Sequence, residues 1–135
     1  MSEVGKLSAQ YPCYVAADLG ASSGRVIAAQ VAEGQLRLHE VNRFSTSFAK
    51  DEARGYLCWG IDAIEAQVRQ GIEQAAALAP IRSVGVDSWG VDYVLLDAEL
   101  QRVGLAVCYR DDRTQGMMER VAANMPAAGS RSSVT

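Results

Sequence analysis

One short segment, residues 18–25, contains the residue types that phosphate chemistry requires. Asp18-Leu19-Gly20-Ala21-Ser22-Ser23-Gly24-Arg25 combines a carboxylate, two glycines, two hydroxyls and a guanidinium. The glycines allow successive backbone N–H groups to point the same way and form an anion-binding nest. Asp18 ends an apolar run, where its carboxylate can hold a phosphate-bound Mg²⁺ through water. This segment, here called the phosphate turn, therefore predicts the nucleotide side of a phosphoryl-transfer site.

The spacing within the phosphate turn excludes two other phosphate-binding motifs. The sequence contains no GxxxxGK[ST] pattern, so the turn is not a P-loop. Gly20 and Gly24 are spaced GxxxG rather than GxGxxG, and a strand-like run follows them, which argues against a dinucleotide-binding fold. Composition leaves one alternative open, because glycine and serine are also the usual residues of an ordinary hairpin loop.

The residues around the phosphate turn predict an antiparallel meander. Apolar and alternating patterns indicate strands over residues 13–19, 25–31 and 36–44. The second and third strands are joined by Glu33-Gly34, a pair suited to a tight reversal. The alternation in the third strand slips near Glu40-Val41, which predicts a bulge or a sheet edge.

A helix is predicted after the meander. Between Ile61 and Leu78 the apolar residues recur at helical spacing, so one face of this helix is expected to pack on the sheet. Asp62 and Glu65 have the spacing of a capping box, and Pro80 ends the pattern.

The remaining elements are predicted from shorter patterns. Residues 45–54 are polar and are expected to form a loop, and residues 118–125 indicate a closing helix before Pro126. Short apolar runs predict further strands over residues 56–59, 83–87, 91–96 and 103–108. The expected fold class is α/β, with a mixed sheet and a helix on at least one face.

The domain organisation is predicted from composition along the chain. Residues 1–12 are expected to be a flexible N-terminus and residues 13–126 to form one domain. Residues 127–135 have almost nothing to bury and are expected to be disordered.

Composition and charge also limit the partners. The 135 residues are 49% apolar and 21% charged, with a formal net charge of −3. With no basic excess, neither nucleic acid nor a membrane surface is an expected partner. No apolar run is long enough to span a membrane. The three cysteines lie in apolar stretches without CxxC spacing, which predicts free thiols in the cytoplasm.

Three segments together carry a family resemblance. Asp-x-Gly-x-x-x-x-Arg after an apolar strand resembles the first phosphate loop of the actin-like ATPase superfamily. Residues 83–97 resemble the sugar-side segment of the FGGY carbohydrate kinases. Residues 102–114 resemble the segment that follows it, ending in the aromatic-x-Asp-x-Arg-Thr pattern. The resemblance runs in order from about Tyr14 to Met125 and implies an actin-like, ribonuclease H-like fold.

The resemblance also implies substrates and binding residues. It implies ATP and Mg²⁺, with the ATP phosphates lined by Ala21, Ser22, Ser23, Gly24 and Arg25. The segments are most like the branch of the family that phosphorylates the 1-hydroxyl of L-rhamnulose.

In that branch the resemblance places Gly90 against the sugar, where a missing side chain allows close approach. Asp87, Trp89 and Asp92 flank it as weaker sugar-site candidates. For Trp89 the alternative is a core aromatic residue, and for Asp92 a solvated strand position. Residues 109–114 are predicted to form a structural network rather than a ligand set.

The resemblance covers only part of the family pattern. The family's catalytic base is an aspartate of a second domain, so no catalytic residue is assigned in this sequence. We expect an incomplete N-terminal domain that is inactive alone, since phosphoryl transfer needs a closed cleft. The alternatives are an FGGY kinase for another ketose or polyol and a non-catalytic nucleotide-binding fragment.

Overall fold

The computed structural model describes residues 7–125, so the expectations for residues 1–6 and 127–135 lie outside the described residues. Within residues 7–125, eight strands, two α-helices and a short 3₁₀-helix follow one another. The strands are β1 (Cys13–Leu19), β2 (Ser23–Ala32), β3 (Gln35–Ser45), β4 (Phe48–Lys50), β5 (Leu57–Trp59), β6 (Ile81–Asp87), β7 (Leu95–Leu96) and β8 (Arg102–Val103). The helices are α1 (Ile61–Leu78), the 3₁₀-helix (Asp112–Thr114) and α2 (Met117–Asn124). None of the helices within residues 7–125 has the length and apolar character needed to cross a membrane.

The central sheet has four strands in the order β3-β2-β1-β6. Strands β1, β2 and β3 pair antiparallel, and β6 returns through helix α1 to pair parallel with β1. Since parallel neighbours need a crossover connection, α1 takes that role and covers one face of the sheet. The predicted meander, the helix packed on the sheet and the mixed α/β class are confirmed.

Two local predictions for the meander are also confirmed. Glu33 and Gly34 both have positive φ, 55° and 75°, as a two-residue hairpin turn matching the strand twist requires. Val26 faces Asn42 while Ile27 faces Glu40, so Val41 is the extra residue of a bulge. Strand β3 is also an edge of the sheet.

The main core lies between α1 and the sheet. The helix contributes Ala75 and its C-cap residue Ala79, and the sheet contributes alternate residues of β1 and β2: Cys13, Val15, Ala17, Val26 and Ala28. A second cluster combines Trp59, Ile64, Ala106 and Cys108. Because only one face of β1 is buried in this way, its other face, which carries Asp18, is left for the site.

Three predictions of secondary structure are wrong. Residues 48–50, expected in a loop, form β4 because they find a partner in β5. The strand predicted over residues 91–96 is reduced to Leu95–Leu96, and the one over 103–108 to Arg102–Val103, which pair with each other. Val107 adds one isolated bridge to Cys58. Apolar alternation favoured these longer strands, but a strand persists only where a neighbour supplies its hydrogen bonds.

The predicted capping box of α1 is also wrong. Gly60 is the N-cap and makes no side-chain cap. Asp62 lies in the first turn, where the helix dipole favours a carboxylate, and its two oxygens accept hydrogen bonds from Arg102 at 2.9 and 3.1 Å. Glu65 binds Arg69, one turn along the helix.

Gln30 is buried among backbone groups and gives a first prediction. Its Nε2 donates to the carbonyls of Ser8 (2.8 Å) and Tyr11 (2.7 Å), and its Oε1 accepts from the Ser8 N–H (2.9 Å). Gln30→Ala removes all three bonds, so we expect a loss of about 2–4 kcal/mol of unfolding free energy in urea. Gln35→Ala, an exposed site on β3, is the control, and an equal loss in both variants would contradict the prediction.

Candidate active site

The loop of the phosphate turn is shorter than predicted. Strand β2 begins at Ser23, so only residues 20–22 connect β1 to β2. The Gly20 N–H donates to the Ser23 carbonyl at 3.0 Å and closes the loop. The side chains of Ser22 and Ser23 are exposed, whereas Ala21 is half-buried. The two hydroxyls are therefore accessible to a ligand, as the sequence prediction requires.

The two glycines of the turn act differently from the prediction. Neither Gly20 nor Gly24 has the positive φ of a left-handed nest residue. Gly24 is buried within β2, and a Cβ there would overlap the Phe44 ring. This glycine is therefore required for packing between neighbouring strands, and its substitution cannot serve as a clean probe of phosphate binding.

Thr46 is hydrogen-bonded to two carbonyls of this loop, and the sequence analysis did not select it. Its N–H donates to the Ser22 carbonyl at 3.2 Å, and its Oγ1 donates to the Gly20 carbonyl at 2.8 Å. The residue is only 3% exposed although its side chain is polar. Burial of Thr46 costs little because its N–H and its hydroxyl are both hydrogen-bonded. The sequence offered no signal beyond a threonine placed just after β3.

Asp18, Arg25 and Asp87 form a row across three strands. Strand register sets Asp18 opposite Arg25 on β2 and opposite Asp87 on β6. The Arg25 guanidinium binds the Asp18 carboxylate, and their side chains are 41% and 39% exposed. An ion pair this exposed contributes little stability in water. The guanidinium is thus held near the turn yet remains free to meet an anion.

The phosphate turn and the segment after β6 lie side by side. Because β1 and β6 are parallel, their carboxyl ends meet at one edge of the sheet, and Asp18 pairs with Asp87 there. Ligands of open α/β sheets bind at this edge of the strands. The two segments that sequence analysis assigned to different substrates are thus neighbours.

The sugar candidates occupy the 88–92 segment and its preceding residue. Asp87 is exposed, and its Oδ1 accepts the Ser88 N–H at 3.1 Å. Gly90 is exposed, and a Cβ built on it meets no atom within 4 Å among the described residues. The segment is bent rather than extended, so the interpretation of Asp92 as a solvated strand position is wrong.

Trp89 and Asp92 both contact Trp59, which sequence analysis did not select. The Trp59 and Trp89 rings stack with centroids 4.0 Å apart and planes 12° apart. The Trp59 Nε1 donates to Asp92 Oδ2 at 2.6 Å. Trp89 packs at the margin of the second core cluster, which agrees with its interpretation as a core aromatic residue.

Asp111 belongs to a structural network, as predicted. Its Oδ1 accepts the Arg113 N–H at 2.9 Å and caps the 3₁₀-helix. Its Oδ2 accepts the Leu57 N–H at 2.6 Å, which ties this segment to β5. The hydrogen bond from Leu57, followed by the one from Arg113, lowers the pKa of the Asp111 carboxyl.

This lowered pKa predicts a pH dependence of stability. A carboxyl whose folded pKa is depressed stabilises the fold above its unfolded pKa of about 4, and loses that contribution as the pH falls through the folded value. We expect Asp111→Asn to be less stable than the parent chain at pH 6, with a difference that shrinks below about pH 4. Urea unfolding across this range measures it, with Asp112→Asn as the control for net charge. A difference that stays constant with pH would contradict the prediction.

Comparison with known proteins identifies the class. The model of the FGGY family of carbohydrate kinases, N-terminal domain, matches residues 13–134. The chain belongs to this family, which is a family of sugar kinases.

Several curated rhamnulokinases are similar to this chain. That of Klebsiella pneumoniae subsp. pneumoniae is 48% identical over 117 residues, covering 84% of this chain and 24% of the relative. That of Oceanobacillus iheyensis is 48% identical over 111 residues, 81% of this chain and 23% of the relative. That of Yersinia pestis is 50% identical over 109 residues, 78% and 22% respectively. The chain thus spans about a quarter of the length of these relatives.

Proposed function

We propose that this chain forms the ATP-phosphate and sugar-facing part of a kinase that transfers the γ-phosphoryl group of ATP to the 1-hydroxyl of L-rhamnulose. One observation carries the proposal: the phosphate turn and the 88–92 segment lie together at the carboxyl ends of β1 and β6. The 48% identity to a rhamnulokinase supports the choice of sugar. The cytoplasm is the location we propose, where Cys13, Cys58 and Cys108 stay free thiols as they are here.

On the nucleotide side, each residue has a proposed role. The backbone and hydroxyls of residues 21–24 contact the phosphates, and the Arg25 guanidinium neutralises their charge. The Asp18 carboxylate is half-exposed and lies opposite Asp87 in the strand register, so its solvent-facing side could hold Mg²⁺ through water. When bound, Mg²⁺ would neutralise phosphate charge. Asp18 itself holds Arg25 in place and orients it toward the turn.

On the sugar side, Gly90 provides a surface without a side chain. Its surroundings are open, so a polyol can reach the backbone closely. Asp87 precedes this segment at the strand end, where its carboxylate can accept a hydroxyl hydrogen bond. Neither residue is proposed as the general base.

The test places this chain within a full-length relative. Residues 13–125 replace the corresponding stretch of the Klebsiella pneumoniae rhamnulokinase, and ADP release is measured with L-rhamnulose, L-fuculose and glycerol. We expect L-rhamnulose to give the highest kcat/KM. A preference for glycerol or L-fuculose would indicate another FGGY kinase, and ATP binding without turnover of any sugar would indicate a non-catalytic nucleotide-binding module.

Gly90→Ala in this chimaera tests the sugar contact directly. Because the added methyl group meets no atom within 4 Å among residues 7–125, the fold of this part should be unaffected, and an approaching ligand should be obstructed. A steric penalty of about 1–3 kcal/mol corresponds to a KM for the sugar that is about 5- to 150-fold higher. The KM for ATP should not change.

Gly85→Ala is the matched control for Gly90→Ala. It makes the same chemical change on β6, also in open space and without a left-handed φ. Equal effects of the two variants on the sugar KM, or no effect of Gly90→Ala, would remove Gly90 from the sugar site.

A further inference from the structure

Two contacts to one side chain bracket Gly90. Trp89, just before it, stacks on the Trp59 ring, and Asp92, two residues after it, accepts the Trp59 N–H at 2.6 Å. Trp59 lies about thirty positions upstream, on β5. The residues on both sides of Gly90 therefore contact the same distant residue, Trp59.

Trp59 is a fixed anchor. It is buried, its backbone N–H donates to the Ala106 carbonyl at 2.8 Å, and its ring meets Phe48 edge-on at 5.5 Å. By contrast, the 88–92 segment forms no strand and its glycine is exposed. The position of Gly90 consequently depends on how firmly its neighbours are held by Trp59.

The two attachments differ in chemistry. The Nε1 of Trp89 is excluded from solvent and has no hydrogen-bond partner among residues 7–125. Most buried N–H groups have a hydrogen-bond partner. Because the Trp89 N–H has none among the described residues, stacking on Trp59 holds this ring in place. The polar part of the attachment is the bond between Asp92 and Trp59 alone.

We propose that Trp59 and Asp92 are positioning residues that hold the Gly90 backbone in the orientation required by the sugar. The inference rests on the proposed function, in which Gly90 contacts the sugar. Neither residue touches the sugar, and Asp92 acts as a hydrogen-bond acceptor rather than through its charge. This gives Asp92 a role different from that of a direct sugar ligand.

Substitutions in the chimaera separate an acceptor from a charge. Asp92→Ala and Trp59→Phe each remove the hydrogen bond and should raise the KM for L-rhamnulose about tenfold, with kcat and the KM for ATP nearly unchanged. The double variant should raise the KM for L-rhamnulose no more than either single variant, because both substitutions remove the same hydrogen bond. Asp92→Asn keeps a carbonyl acceptor for Trp59 and should restore a KM close to that of the parent. An Asp92→Asn variant as impaired as Asp92→Ala would overturn the proposal.

A spectroscopic test on the 135-residue chain does not depend on catalysis. Trp59 and Trp89 are its two tryptophans, so their stack should give an exciton couplet in the far-ultraviolet circular dichroism spectrum. Trp59→Phe and Trp89→Phe should each abolish it, Asp92→Ala should weaken it, and Asp92→Asn should retain it. A couplet insensitive to Asp92→Ala would overturn the positioning role. An inactive parent chimaera would instead overturn the proposed function, while the couplet still decides whether Asp92 holds the pair.

Discussion

Arg25→Ala is expected to lower kcat/KM for ATP about 100-fold in the rhamnulokinase chimaera. A hydrogen bond between charged groups contributes about 1.5–3 kcal/mol, and its loss accounts for a tenfold to hundredfold effect. A second cost arises because Asp18 loses its counterion and then faces the phosphates as an unneutralised carboxylate. Steady-state kinetics with ATP as the varied substrate measure the effect.

Arg43→Ala is the matched control for Arg25→Ala. Arg43 is the strand partner of Arg25 on β3, and its guanidinium binds Glu40 at 2.6 Å instead of Asp18. The control removes the same charge from the same face of the sheet, one strand farther from the turn. If both variants lower kcat/KM for ATP equally, the loss reflects the overall positive charge of this sheet face, and Arg25 is not a phosphate ligand.

The exposed ion pair explains how Arg25 can serve a ligand that is not always present. In the free protein Asp18 holds the guanidinium beside the turn, so little side-chain freedom remains to be lost when phosphate arrives. Because the pair is solvated, exchanging the carboxylate for a phosphate costs little. Strand register alone brings the two residues opposite each other.

The meander could be predicted because its signals are local. The apolar runs of β1 and β2, the Glu33-Gly34 reversal and the slip near Val41 are each readable within a few residues. The proximity of Asp18 and Arg25 could be predicted for the same reason, since a short hairpin loop joins their strands. That Asp87 lies beside Asp18 depends on the helix crossover, which makes β6 parallel to β1.

The supporting residues could not be predicted, because their partners are distant in sequence. Thr46 meets Gly20 across 26 positions, and Trp59 meets Asp92 across 33. Neither pair produces a periodic pattern. The strand expected over residues 91–96 is shortened for the related reason that the Asp92 side chain is directed to Trp59 and residues 91–94 have no strand partner within the part of the chain that the structure describes.

Gly71→Val is expected to lower the free energy of unfolding by about 3 kcal/mol, a large part of the stability of a small domain. Gly71 is buried in α1 where the helix crosses β2. A Cβ there would lie 2.6 Å from both Cβ and Cγ2 of Val26, a fully buried residue. A β-branched side chain cannot rotate away from such a contact, so the helix must move off the sheet. Urea unfolding followed by circular dichroism at the peptide band measures the loss.

Two further variants distinguish steric overlap from helix propensity. Ala66→Val introduces the same residue at an exposed position of α1 and should cost about 0.5 kcal/mol. Val26→Ala should remove the contacts with the two Cγ atoms of Val26, so the double variant Gly71→Ala/Val26→Ala should be more stable than the sum of its single variants implies. Additive losses would mean that helix and strand do not meet at this glycine. Because Val26 directly follows Arg25 on β2, a helix displaced at Gly71 should also shift Arg25, and ATP binding should weaken along with stability.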